Sequence, residues 1–267
     1  MVQSHRSAAG FRTGVSYSKD MASGTVMSGF PELDRYTRGF PAGTLSVIAA
    51  RPAMGKTELV LEMAAKIAEN GTKVFLFSCD HTEGEIAAML RLKTEDCSIP
   101  MSICSGVCDA GEITDIAERE AKGGIIIIDG LQYIYADCPD ARIFVPGSQK
   151  AVFREDAKVL FMLRNLARRT GIPVIVTSGL PRCIERRRDR RPRVRDLLRR
   201  HLFPHADTVI ALYRDDYYQG ISEQESTDVE LIILRNRNGP SCCTVTLEWD
   251  AEERRLMEKG AGSEKRN

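Results

Sequence analysis

A chain of 267 residues that is 43% hydrophobic and 28% charged can bury one substantial core, and its length favours one or two domains. No uninterrupted apolar stretch approaches the roughly 18–20 residues of a membrane helix and no apolar signal-peptide core follows the first basic residues, which excludes a membrane protein and leads us to expect a soluble, cytoplasmic one. The net charge is only +1, yet between Arg182 and Arg200 ten arginines face three acids, a local +7 that leaves −6 elsewhere and suggests an anionic partner at this segment.

Residues 1–25, rich in Ser, Gly and basic side chains, read as a polar tail or linker; 26–250 read as one domain and 251–267 as a C-terminal tail. The first predicted strand, Thr44–Ala50, runs into Arg51-Pro52-Ala53-Met54-Gly55-Lys56-Thr57. A helix follows at once, marked by Val60, Met63, Ala64, Ile67 and Ala68 at helical spacing and closed by Asn70-Gly71. Strand, tight loop and helix in that order form a P-loop: backbone N–H groups wrap phosphates, the lysine reaches the β- and γ-phosphates, and the next hydroxyl ligates Mg²⁺. Arg51, Pro52, Ala53, Met54, Gly55, Lys56 and Thr57 are therefore the candidate ATP-binding residues, with Lys56 also catalytic and Thr57 a metal ligand. The strict pattern begins with glycine; this loop begins with Ala50.

The next strand, Thr72–Ser78, ends in Cys79-Asp80, and Asp80 is the candidate base that orients or deprotonates the attacking water. A rival role exists for it, since Thr82 and Glu85 have the spacing of a capping box and Asp80 falls in the same turn. Eight cysteines show no disulfide framework, and Cys97, Cys104, Cys108 and Cys138 lack the close CxxC pair of a zinc site, so reduced thiols are expected. Gly124–Asp129 is an apolar strand that delivers Asp129 to the end of the sheet holding the P-loop, where it would bind Mg²⁺ through water.

Ala157, Leu160, Phe161, Leu163, Leu166 and Ala167 mark a second helix before Thr170-Gly171 and a strand at Ile172–Ser178. Further strands follow at Thr208–Tyr213, Val229–Leu234 and Thr244–Trp249. Runs that are apolar throughout suit a parallel sheet covered on both faces, whose ligands lie at the carboxyl ends of its strands. The expected fold is thus α/β, a mostly parallel central sheet flanked by helices. Arg235 and Arg237 stand two apart at the end of an apolar strand, so an extended chain aims both the same way, and Gly239-Pro240 fixes a turn after them.

In order along the chain, Ser28-Gly29-Phe30-Pro31-Glu32-Leu33-Asp34 with Gly39-Phe40, the loop Arg51–Thr57, Ile128-Asp129-Gly130-Leu131-Gln132, Arg214-Asp215-Asp216-Tyr217-Tyr218 and Arg235-Asn236-Arg237-Asn238-Gly239-Pro240 resemble the motor domain of DnaB-type replicative helicases. The resemblance runs from about Ser28 to Trp249, and that family's P-loop also begins with alanine. It implies a RecA-like P-loop NTPase, a homo-hexameric ring, ATP-driven movement along single-stranded DNA, and a helicase loader as a possible partner. It also implies that Arg237 is the arginine finger reaching a neighbour's γ-phosphate and that Arg235 is a second cation. The arginine-rich stretch, with Arg186, Arg187, Arg188, Arg190, Arg191 and Arg193, takes the place of a DNA-binding loop lining the central channel. A second loop, Pro146–Arg154 with Lys150, is a further DNA candidate.

The chain departs from that pattern in three places. Asp80 stands where the family carries Glu, which shortens the carboxylate arm by roughly 1.5 Å. Gly179 and Pro181 stand where the family has glutamine and asparagine, and the glutamine is the position that senses the γ-phosphate. Only about 25 polar residues precede the motor where the family has an N-terminal helical domain, so primase recruitment through that domain is not expected. These departures keep a second reading open, a slow or inactive nucleotide switch or adaptor that grips DNA or a partner protein. A recombinase or clock-type ATPase fits the fold but not the terminal Arg-Asn-Arg-Asn-Gly-Pro block.

Overall fold

The computed structural model describes residues 24–94, 98–121, 123–136, 149–198, 202–219 and 226–259. Among them nine strands form one sheet: β1 (Leu45–Ala50), β2 (Val74–Ser78), β3 (Met101–Ser105), β4 (Ile125–Asp129), β5 (Val174–Gly179), β6 (Thr208–Arg214), β7 (Ser226–Asn236), β8 (Cys243–Asp250) and β9 (Arg255–Glu258). Their order across the sheet is β3-β2-β4-β5-β1-β6-β7-β8-β9. The first six in that order are parallel and the last three pair antiparallel, which gives the mostly parallel sheet expected from the apolar runs.

Successive strand residues point to opposite faces, and both faces are covered. On one side Val47, Ala49, Ile126, Ile128, Val174 and Val176 pack under helices α4 (Ala110–Glu120) and α5 (Gln149–Thr170). On the other, Ile48, Ala50, Ile125, Ile127 and Ile175 meet α1 (Pro31–Thr37), α2 (Lys56–Glu69) and α3 (Glu83–Arg91). α2 begins directly after Gly55, whose φ of 92° lies in the left-handed region that glycine tolerates. No described helix is long and apolar enough to cross a membrane.

Three features differ from the sequence expectation. β3 lacks a β-branched run; it is a half-exposed edge strand held by parallel pairing with β2. β9 lies in what reads as a C-terminal tail, yet it pairs antiparallel with β8 and is tied to α2 by charge. Arg255 bonds the fully buried Glu62 at 3.0 Å, while Lys93, itself buried, meets Glu58 at 2.7 Å and donates to the Arg254 carbonyl at 3.0 Å. The third difference concerns the loop expected over Pro146–Arg154. The chain is already helical from Gln149, so Lys150 belongs to the first turn of α5, while residues 137–148 and the Lys150 side chain lie outside the described residues.

Candidate functional site

In-register pairing brings four strand ends together: Ser78 beside Asp129, and Ala50 beside Gly179. Above them opens a cavity of about 740 Å³, lined by the whole loop from Arg51 to Thr57 and by Asp80, Asp129, Gln132 and Tyr133. That volume is of the size that holds a small organic ligand. Ala53 takes a positive φ of 61° and Gly55 one of 92°, so the loop curls with its backbone turned inward over the start of α2.

Lys56 Nζ donates to the Arg51 carbonyl at 3.3 Å across this curl. Burial holds its ammonium below the ordinary lysine range, and Asp129 and Asp80 only partly offset that. An anion in the loop would supply the missing counter-charge. Thr57 Oγ1 donates to Asp129 Oδ2 at 2.7 Å, and the other carboxylate oxygen, Oδ1, accepts from Thr177 Oγ1 at 2.6 Å. Gly130 N in turn donates to Thr177 Oγ1 at 2.8 Å, which fixes that hydroxyl's direction. A hydroxyl and a carboxylate oxygen meeting at the mouth of the loop are the hard oxygen donors that Mg²⁺ takes, so the residues present fit the ion. Thr177 was not singled out from sequence because a threonine in a strand reads as an ordinary β-former; its buried position in an apolar run is the signal that could have found it.

The Arg51 side chain turns away from the loop. Its Nε meets Glu185 at 2.8 Å and its Nη1 donates to the Leu180 carbonyl at 2.6 Å, tying the loop to the segment after β5. Asp80 is exposed on the cavity wall. The capping box is made by Thr82 and Glu85 alone, with Glu85 N donating to Thr82 Oγ1 and Thr82 N donating to Glu85 Oε2 at 2.8 Å, so Asp80 is not spent on it. Tyr133 stands near it on the same wall; burial, then the charge of Asp80, push that phenol up from its ordinary pKa. A Cβ at Gly179 would meet open space, so the backbone does not demand glycine there.

The arginine-rich segment is folded onto its own domain to a degree the sequence did not disclose. Arg187 pairs with the buried Asp196 at 2.9 Å, Arg193 with Asp189 at 2.7 Å, and Arg191 with Glu230 at 2.7 Å. Arg190 lies 4.4 Å over the Tyr218 ring, and Arg191 4.7 Å over that of Tyr213. Arg186 and Arg188 are exposed, as are Arg182 and Arg195, and none of these four makes an ion pair among the described residues.

Arg235 and Arg237 do not line the cavity. They sit at the opposite end of the sheet, where Arg237 N donates to the Asp207 carbonyl at 3.1 Å and Asp207 N to the Leu45 carbonyl at 2.7 Å. Leu45 opens β1 and the P-loop closes it, so a strand length of roughly 17 Å separates these arginines from their own chain's loop. The Arg237 guanidinium meets Asp207 Oδ1 at 3.1 Å, and burial, then Arg237, hold the Arg235 guanidinium below its ordinary pKa.

Known proteins are similar to this chain in sequence and fold. The family model for the DnaB-like helicase C-terminal domain matches residues 25–119 and 110–258. The replicative DNA helicase DnaB of Geobacillus stearothermophilus is 32% identical over 247 residues, covering 80% of this chain and 52% of that protein. The replicative DNA helicase DnaC of Bacillus subtilis (strain 168) is 32% identical over 264 residues, covering 87% and 56%. The chain thus spans about half the length of the curated relatives it matches. A solved ATPase domain superposes with a TM-score of 0.72 at 28% identity, covering 89% of this chain and 93% of its own. A DnaB-like replicative helicase, solved in a study of its interactions with primase, gives 0.73 at 28% identity, covering 90% and 64%. The fold is RecA-like, and the chain belongs to the DnaB-like helicase C-terminal domain family.

Proposed function

We propose that this chain is an ATP-hydrolysing helicase motor that forms a homo-hexameric ring in the cytoplasm, uses ATP and Mg²⁺ at its subunit interfaces, moves along single-stranded DNA, and has a helicase loader as a further partner. The observation that carries the reading is the 2.7 Å contact between Thr57 and Asp129 at the mouth of a loop whose buried lysine is only partly compensated. In this reading Lys56 holds the β- and γ-phosphates, and Thr57 and Asp129 hold Mg²⁺. When bound there, the ion would supply positive charge to offset the charge that develops on the phosphate oxygens. Thr177 aims the Asp129 carboxylate, and Asp80 orients the attacking water. Arg237 of one subunit completes the site of the next, with Arg235 as a second cation beside it.

Asp80 and Gly179 favour a second reading, a nucleotide switch that hydrolyses slowly. The discriminating measurement is steady-state ATP hydrolysis with and without single-stranded DNA, on the native chain and on Asp80→Glu. A detuned motor should be stimulated by DNA, and the longer carboxylate should raise turnover by up to about 10²-fold, the scale on which a misplaced reacting group costs rate. ATP binding without hydrolysis in either protein would establish the switch instead.

DNA contact falls to the arginines that the fold leaves unpaired. In Arg186→Ala/Arg188→Ala, the slope of log affinity for labelled oligothymidylate against log salt should shrink by about 1.4, because each phosphate contact on a single strand contributes about 0.7. An unchanged slope, measured by fluorescence anisotropy, would remove this segment from the DNA path.

A further inference from the structure

Two arginines share one carboxylate at the end of the sheet remote from the loop. Asp207 Oδ1 faces both Arg237 Nη1 at 3.1 Å and Arg164 Nη2 at 3.5 Å, while Oδ2 accepts from Leu45 N at 3.1 Å. The three partners differ in freedom. The Asp207 side chain is 10% exposed and anchored by that backbone N–H at the start of β1, and Arg164 is 14% exposed, rising from α5 to donate also to the Pro204 carbonyl. Arg237 is 43% exposed. Among the described residues the buried Nε of Arg164 has no hydrogen-bond partner, so it has a donor in reserve.

Physical chemistry separates the two ion pairs. A half-exposed pair is worth little in water, whereas a buried carboxylate stripped of its counter-charge is costly. Arg237 can leave Asp207 without stranding it, because Arg164 stays. Arg164 is the less free of the two, being only 14% exposed and also bonded to the Pro204 carbonyl. A phosphate with several charged oxygens offers Arg237 a stronger partner than the single oxygen it shares here.

We propose that Asp207 is a positioning residue for the arginine that acts in trans: it holds Arg237 at the subunit face until a neighbour's γ-phosphate takes it, and Arg164 then keeps the buried carboxylate compensated. This rests on the shared-site reading above. Asp207 touches neither nucleotide nor water in this scheme. It sets where Arg237 waits and how readily it is released.

The test is steady-state ATP hydrolysis by Asp207→Asn, alone and mixed in equal amounts with Lys56→Ala, with Arg237→Ala mixed with Lys56→Ala in parallel. Asp207→Asn keeps an acceptor for Leu45 N while losing the charge. Its kcat should fall roughly tenfold, far less than the 10³-fold or more of a lost arginine finger, with KM for ATP nearly unchanged. Mixing should restore turnover, because Lys56→Ala neighbours present a properly held Arg237 to the intact P-loops of the variant. A merely structural role, exerted through Leu45 and β1, would damage the variant's own loop, and no neighbour can repair that.

Complementation by Arg237→Ala without complementation by Asp207→Asn, or a native kcat in Asp207→Asn, overturns the proposal and leaves the shared site standing. No complementation by either brings down the shared site and the proposal with it. Should circular dichroism show Asp207→Asn unfolded, Arg164→Gln decides: it should also lower kcat and be rescued by Lys56→Ala, and a native or unrescued kcat refutes the scheme.

Discussion

Arg237→Ala should lower ATP turnover by about 10³-fold or more while ATP binding stays close to native, the signature of a cation that meets charge only in the transition state. The argument is geometric. Arg237 is anchored by its own N–H to Asp207, at the start of the strand whose far end carries the P-loop, so it serves a site on another copy or none. Mixed in equal amounts with Lys56→Ala protein, it should recover about a quarter of native activity, since a complete site needs an intact loop from one parent facing an intact arginine from the other across a head-to-tail contact. Mixtures no more active than either parent would refute the shared site.

Lys56→Ala should abolish hydrolysis, by about 10³-fold, and weaken ATP binding as well. The loss should differ in kind from that of Arg237 because, in the proposed site, Lys56 would lie under the phosphates in ground and transition states alike. Its burial makes the position unusually dependent on an anion: without one, the ammonium has a carbonyl at 3.3 Å and two carboxylates that do not fully compensate it. Fluorescent nucleotide titration should therefore show Lys56→Ala weakened and Arg237→Ala near native. Equal affinities would mean that the loop does not hold the phosphates through this side chain.

The parts of this molecule visible in its sequence are those in which local chemistry and tertiary role coincide. β1, α2, β4 and β5 are legible because their apolar runs and turn residues state the same answer that the packed sheet requires, and Asp129 is legible as a carboxylate at the end of such a run. β3 and β9 are not, because Met101–Ser105 and Arg255–Glu258 owe their strand geometry to the neighbour they pair with. The buried pair of Glu62 and Lys93 is equally silent, since two charged residues 31 apart give no hint that both will be enclosed.

The site divides the same way. A loop whose residues are contiguous was readable, down to the lysine and threonine. Relations among distant residues were not: Thr177 on Asp129, Arg51 on Glu185, Tyr133 on Asp80 and Arg164 on Asp207 each join segments that only the fold brings together. Ten arginines in nineteen positions read as one basic surface, but the fold splits those among the described residues into ones that pin the segment and ones that face solvent. Composition reports charge and cannot report which charges are already neutralised.

The two ends of β1 have a consequence for symmetry. If the loop at one pole of the sheet takes its arginine from the next copy in a head-to-tail contact, as proposed, each added copy uses one pole of its neighbour and offers one of its own. Under that proposal an open stack ends with an empty cradle at one terminus and an idle guanidinium at the other, and closure into a ring leaves neither, so catalytic completeness and topological closure would be one condition.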